Sequence, residues 1–321
     1  MSKRILMLCL PLLILLLVSC WAVADGVSDN EVSIEKRDGL MVVNVAGKRF
    51  TEYDFQKYAR PIFFPVFGAG QVPMTRGYPM REIAGEASDH PHHKSIWFAH
   101  GAVDGIDFWK EAGSIKHVSL DAFDADRGFS VTDHWMHPKT DKVLLVVTGK
   151  FEFGADDSSR WIDCEYVLKP AEKEVLLGDT KEGTFAIRTH PDLRLVANEK
   201  QGVKQVFGNA RNSAGDTGKP IWGKSAKWVD YFGAIDGKQV GIAMFDHPSN
   251  LRHPTTWHAR EYGLVAANPF GLHYFKRQKK GAGDYRLQLG SSLKLRYRIV
   301  FYEGQKTDAE IEQYYTEFTK Q

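Results

Sequence analysis

Short runs of alternating apolar and polar residues dominate the chain. Val32 to Lys36, Leu40 to Val45 and Lys48 to Phe55 alternate and are broken by Asp38-Gly39 and Gly47, so each reads as a strand ending in a hairpin turn. Arg60 to Phe67 holds two prolines among aromatics and suits an edge strand. Gly68 to Glu86, rich in Gly and Pro, reads as a long loop. Strands follow over Ile115 to Phe123, Gly128 to Met136, Lys142 to Phe153, Arg160 to Lys169 and Glu174 to Leu177. Gly208 to Gly223 reads as another loop, and Lys227 to Ile235 with Val240 to Phe245 as a hairpin around Asp236-Gly237. Tyr285 to Leu289 and Ser292 to Tyr302 pair around Gly290-Ser291. Only the tail is clearly helical. Thr307-Asp308-Ala309-Glu310 forms a capping box, and Ile311, Tyr314, Tyr315 and Phe318 follow at helical spacing. The pattern predicts an all-β fold, a large antiparallel β-sandwich with a short C-terminal helix, and no break forces a second domain.

The first residues depart from this pattern. Lys3 and Arg4 precede an apolar run from Ile5 to Val18, and Ala22-Val23-Ala24 supplies the small residues of a cleavage site. Residues 1–24 therefore read as a signal peptide, leaving 25–321 as one domain. A second reading takes Leu17-Val18-Ser19-Cys20 as a lipoprotein box, with Cys20 as a lipidated first residue. Both export the chain to the periplasm or cell surface, and only the second attaches it to a membrane.

Composition narrows the partners. The formal charge of +2 falls when Lys3 and Arg4 leave, and Lys276 to Lys280 is the one short basic run, which argues against nucleic acid. Cys164 stays as a lone thiol inside the alternating run Trp161 to Leu168, where a structural role is expected.

One stretch resists a packing explanation. Ser88 to Trp109 carries His90, His92, His93 and His100, four of the chain's twelve histidines, with Asp89, Asp104, Asp107, Trp97 and Trp109. Core packing has no use for four imidazoles within eleven positions. Three readings are open for Asp89 to His93. Acid–base catalysis is one, since imidazole and carboxylate move protons near neutrality. A divalent metal is another: in an extended segment His90 and His92 share a face, and a distant third ligand would complete a site. A loop anchored by satisfied histidines is the third. No complete ligand signature is present, so no cofactor is expected.

Two further clusters are candidates. In Asp179 to His190, Glu182 suits a base and Arg188 a fork for a carboxylate or vicinal hydroxyls, while Lys181 suits a strand-end ion pair. Asp246 to Glu261 brings His247, Asn250, Trp257, His258 and Arg260, and His273 ends a nearby turn. The resulting assignment makes His90, His92, His93, Glu182 and His258 catalytic. Asp89, Trp97, Arg188, His247, Asn250, Trp257, Arg260 and His273 bind substrate, with Trp97 or Trp257 as a platform for a sugar ring. The three clusters should share one cleft built from loops at an end of the sandwich.

Taken together, Asp89-His90-Pro91-His92-His93, Trp97 to Gly101, Gly105 to Trp109, Asp179 to Thr184, Asp246-His247-Pro248-x-Asn250 and Asn268 to Gly271 resemble the bacterial PmoA-like family, whose members are often labelled methane oxygenase. The resemblance implies a fold similar to the galactose mutarotase-like supersandwich and a role in carbohydrate metabolism. The expectation is an exported enzyme acting on a sugar or oligosaccharide by hydrolysis, elimination or epimerisation. A glycan-binding module and the metal-dependent oxygenase of the family label are the alternatives.

Overall fold

The structure, a computed structural model, describes residues 30–197, 199 and 206–320. The expected signal peptide and the Cys20 anchor lie outside the described residues. In chain order the strands are β1 (Val32–Arg37), β2 (Leu40–Val45), β3 (Lys48–Asp54), β4 (Ile62–Val66), β5 (Ile96–Phe98), β6 (Ser114–Asp124), β7 (Gly128–Met136), β8 (Val143–Ala155) and β9 (Ser159–Pro170). They continue with β10 (Val175–Leu177), β11 (Phe185–Arg188), β12 (Asn209–Asn212), β13 (Trp228–Ile235), β14 (Lys238–Asp246), β15 (Thr256–Trp257), β16 (Leu264–Asn268), β17 (Tyr285–Leu287) and β18 (Leu293–Glu303). Two α-helices are described, α1 (Leu272–Lys276) and α2 (Asp308–Thr319).

The strands build two eight-stranded antiparallel sheets. The first has the order β1-β2-β3-β4-β5-β11-β16-β15, and the second β12-β13-β14-β18-β9-β8-β7-β6. Aromatic side chains fill the space between them. Phe98 stacks on Tyr166 with ring centres 3.9 Å apart, Phe185 lies 5.0 Å from Tyr297, and Phe63 meets Phe151 at 5.0 Å. The chain is thus all-β in the expected sandwich arrangement. Cys164 is buried and unpaired in this core.

Helix α2 begins at the expected capping box, with Thr307 and Glu310 satisfying each other's backbone donors. Ile311, Tyr315 and Phe318 are its buried residues and meet Trp228, Phe245 and Val300 on the outer side of the second sheet. Tyr314 is half-buried and instead sends its hydroxyl to Asp156, 3.1 Å away.

The pairing of β5, β11 and β16 positions the site. Phe98 faces Phe185, and Trp97 faces Ala186, which in turn faces Ala266. Side chains alternate along a strand, and cross-strand partners share a face. Phe98 and Phe185 point at the second sheet, so Trp97, Ala186, Arg188 and Ala266 lie on the outer face. His258 exchanges both backbone hydrogen bonds with Ala266, at 2.9 and 3.3 Å, and joins that outer face. Trp257 pairs with Ala267 and turns the other way. The residues at 186 and 266 are small and fully buried.

Candidate active site

The loop before β5 is held down by three buried arginines. Arg76 donates to the main-chain oxygens of Ala87, Asp89, His90 and His93 at 2.9–3.3 Å, and to Asp89 Oδ1 at 2.5 Å. Arg60 donates to the oxygens of His92, Phe108 and Trp109 and lies over the Trp97 ring. Arg188, from the end of β11, donates to Asp89 Oδ1 at 2.9 Å and to His93 Nδ1 at 3.2 Å. A guanidinium suits this work because its five donors satisfy several carbonyls at once. Burial pushes the Asp89 carboxyl up, but His90, Arg188 and Arg76 outweigh it and hold the group well below the usual carboxylate range.

The segment is a turn, not the extended run that would align His90 with His92. His90 has a φ of 47°, and the His93 amide donates back to the His90 oxygen at 2.9 Å. The rings form a stack instead. Tyr262 lies over His90 at 5.1 Å, His90 over His93 at 4.7 Å, and His93 over Trp97 at 5.3 Å. His92 stands edge-on to His93. Among the described residues no group of three or more His, Cys, Asp or Glu is arranged to hold a metal ion.

Glu182 and His258 approach from the other side. His258 Nδ1 donates to the Lys181 main-chain oxygen at 2.7 Å, and Glu182 forms an ion pair with the Lys181 ammonium. Trp222 and Phe275 wall the His258 ring, with centres 6.5 and 6.1 Å away. Arg260, two residues beyond His258 on the same extended run, covers the Tyr262 ring at 5.4 Å, and Arg188 covers it at 4.5 Å. The hairpin that presents Tyr262 needs Gly263, whose φ is +88° and whose missing Cβ would sit 2.4 Å from Thr189 Oγ1.

Electrostatics tie these groups together. Burial pushes His92 down to about 4, with Arg60 and His90 adding to it and Glu182 opposing. Burial likewise takes His258 down to about 4 against the pull of Glu182. His93 falls well below its ordinary value, through burial and then Arg188. Burial raises Glu182, but the Lys181 bond and the charges of His258 and Lys110 outweigh it and leave the carboxyl below its ordinary value. Tyr262 is pushed up to about 12 by burial; Arg188 and Arg260 oppose, while Glu182 and Asp89 add to the rise. At neutral pH Asp89 and Glu182 are ionised, and His92, His93 and His258 are neutral.

The structure thus brings together Asp89, His90, His92, His93, Glu182, Arg188, His258 and Arg260. It does so over the outer face of the first sheet rather than at an end of the sandwich. Four other expected binders lie elsewhere, and Trp97 plays a different part. Trp257 is fully buried on the inner face and donates to the Ala226 oxygen at 2.9 Å, so it offers no surface to a sugar. Trp97 is on the correct face but is covered by His93, Trp109 and Arg60. His247 binds Ser249 and Arg296 and packs on Phe318 of α2, on the second sheet. Asn250 is used up by Asp246 and the Arg296 backbone. His273 binds the Gln278 oxygen at 2.8 Å, and its ring makes no contact with the cluster. Sequence reasoning missed Tyr262, Arg76 and Arg194. Tyr262 had a legible signal, an aromatic ahead of a glycine just before the apolar run Leu264 to Ala267.

A family model matches residues 41–316. The chain belongs to that family, DUF6807, a family of unknown function. This corrects the resemblance to the PmoA-like family: the blocks that suggested it fall within the matched span of a different family, and the methane oxygenase label does not apply. No curated protein matches the chain. Among solved structures, a variant of a Glycoside Hydrolase Family 97 enzyme from Pseudoalteromonas sp. strain K8 is 10% identical with a TM-score of 0.33; the match covers 87% of this chain and 34% of that one. The chain thus spans about a third of that enzyme's length. The Slr1438 protein of Synechocystis sp. PCC 6803 is 10% identical with a TM-score of 0.32, over 86% of this chain and 96% of its own. A galactose mutarotase related enzyme from Lactobacillus acidophilus is 10% identical with a TM-score of 0.29, over 86% and 98%. Likenesses this distant carry no argument about reaction or substrate.

Proposed function

We propose that the chain is an exported enzyme that removes a proton from a sugar or oligosaccharide, using Glu182 and His258 as the basic groups, His92 as their neighbour and the edge of Tyr262 as a contact for the sugar. The observation that carries this reading is the pairing of an ionised Glu182 with two imidazoles kept neutral by burial. A base must be unprotonated at working pH to accept a proton, and all three groups meet that condition. The half-buried Tyr262 ring, flanked by His90, Arg188 and Arg260, leaves its edge and hydroxyl for a sugar, which offers C–H on its faces and O–H on its rim.

The same charges rank the reactions. Glycoside hydrolysis by a carboxylate pair needs one carboxylic acid kept protonated by a raised pKa. Asp89 is held ionised by Arg76 and Arg188, and Glu182 by Lys181, so neither fits that role. Proton abstraction followed by elimination or epimerisation fits better, because it begins with a base.

The reading is tested by incubating the processed chain with a panel of neutral and acidic oligosaccharides in deuterated water and following products by NMR. New unsaturated, epimerised or deuterated sugar, lost in both Glu182→Gln and His258→Ala, is the expected result. Binding without turnover across the panel would mark a glycan-binding module instead, and no binding at all would end the carbohydrate reading.

A further inference from the structure

The cationic side chains around Tyr262 exceed what the site's own carboxylates can neutralise. Arg76 and Arg188 both spend their charge on Asp89, at 2.5 and 2.9 Å. Arg194 adds a third guanidinium beside this pair. It is only 3% exposed, its Nε is buried without a hydrogen-bond partner, and it forms no ion pair among the described residues. Burial lowers its affinity for the proton, and Asp89 is the one opposing charge it feels. A buried Nε–H without an acceptor is costly, and such groups are normally paired.

Arg260 completes the pattern at the surface. Its side chain is 33% exposed, and its one ion pair is a 3.4 Å contact from Nε to Glu261. Among the described residues its guanidinium makes no hydrogen bond, so both terminal nitrogens are free. Its guanidinium lies over the Tyr262 ring, 5.4 Å from the ring centre. A planar fork lying over an aromatic ring, with its terminal donors unspent, suits a bidentate carboxylate. Lys110 adds to the field that holds Glu182 ionised.

From this surplus we infer that the sugar acted on carries a carboxylate, as a uronic acid does, and that Arg260 receives it with Arg194 supporting from beneath. The inference rests on the proposed base-catalysed reading and gives it a chemical reason. A proton on the carbon next to a carboxylate is hard to remove, because the electron pair must enter a group already negative. Cations at that carboxylate stabilise the dianionic enediolate that forms. Glu182 or His258 takes the proton, the C–H pair moves into the carboxylate, and its return expels the oxygen substituent on the adjacent carbon. The leaving oxygen takes a proton from the protonated base, so a C–H and a C–O bond are exchanged for one C=C bond and one O–H bond.

The experiment is calorimetric titration of the processed chain with galacturonate and glucuronate oligosaccharides and with their neutral galactose and glucose counterparts, at low and moderate salt. Uronates should bind at least tenfold more tightly, salt should shrink the difference, and Arg260→Gln should bring the ratio close to one while Arg260→Lys restores only part of it. Circular dichroism and thermal melting show whether each variant is folded. Neutral sugars binding as well as the uronates, or a preference that survives Arg260→Gln in a folded variant, would overturn the inference and leave the sugar reading standing. A chain that binds neither class would sink both.

Discussion

His258 Nδ1 lies 2.7 Å from the main-chain oxygen of Lys181, the residue that also pairs with Glu182. A carbonyl oxygen can only accept, so Nδ1 carries the hydrogen and Nε2 keeps its lone pair. That Nε2 is buried and has no hydrogen-bond partner. The backbone that positions Glu182 therefore also sets the tautomer of His258, and an aimed, unspent base results.

Replacing either base should cost turnover and spare the fold. His258→Ala and Glu182→Gln are each expected to lower the rate by about a hundredfold or more, the usual range for losing a positioned base. The double variant should cost far less than the product of the two if they serve one proton. Melting curves separate this from unfolding, because neither side chain is needed by the core between the sheets. Normal turnover in both folded single variants would remove them from the chemistry.

Acid should act at an unusually low pH. His92 and His258 take protons only near 4 in the fold, while unfolded imidazoles do so near 6.5. Activity that needs them neutral should hold to about pH 5 and fall below it. Stability follows the same window. Between 6.5 and 4 the unfolded chain binds more protons than the folded one, so stability is full above the unfolded value and is lost as pH falls through the folded one. His100, fully buried against the Gly178 oxygen and also down to about 4, contributes to the effect away from the cluster. Thermal melting from pH 7 to pH 4 should show a steep decline, made shallower by His100→Gln. An acid limb of activity centred on 6.5 would contradict the burial account.

The two large aromatics of the 257–262 segment should respond in opposite ways. Trp257 is fully buried on the inner face, so Trp257→Ala should destabilise by roughly 3–5 kcal/mol and alter ligand binding only through the fold. Tyr262→Ala should leave melting within a few degrees and weaken sugar binding by tenfold or more. Thermal melts beside calorimetry decide between them; a Trp257→Phe variant that melts normally but loses binding would restore Trp257 as a platform.

The long strands were legible because one face is wet. β7, β8 and β9 alternate buried with half-exposed positions along most of their length. β5, β11 and β16 are buried at every position, so the alternation that marks a strand is absent, and these are the strands under the site. The five residues of α1 are too few for a helical period to emerge. The histidine turn was legible as an excess of imidazole. Its anchors were not, since Arg60 and Arg76 bind main-chain oxygens, which any sequence supplies. The error at Trp257 came from parity. It and His258 are adjacent in an extended run and must face opposite sides, so only one can reach the site.

Asp89 should be worth more to the fold than its half-exposed position suggests. It is the one carboxylate shared by Arg76 and Arg188, and the nearest opposing charge to Arg194. Asp89→Asn keeps the shape and leaves buried guanidinium groups without their counter-charge, a loss of about 3–5 kcal/mol. Chemical denaturation of Asp89→Asn beside Asp89→Glu tests this. A variant as stable as the parent would mean that main-chain oxygens alone satisfy the arginines.

Gly101 offers the finest test of geometry. Its amide donates to the Glu182 oxygen at 2.7 Å. A Cβ built on Gly101 would lie 2.7 Å from the Glu182 Cβ and 2.8 Å from its main-chain oxygen, so any side chain there must push Glu182 away. The clash is with backbone and Cβ, which cannot rotate aside. Gly101→Ala should therefore lower turnover by roughly a hundredfold, the cost of about 1 Å of misplacement, while costing only about 1–3 kcal/mol of stability. Gly105 provides the control. Its φ of +81° makes alanine strained, but nothing lies within 4 Å of the added Cβ. Gly105→Ala should lose about 1 kcal/mol and keep its turnover. If the two variants lose activity in proportion to their stability, the contact between Gly101 and Glu182 serves the fold alone. Disproportionate loss in Gly101→Ala, with melting close to that of Gly105→Ala, would place Glu182 at the reacting proton.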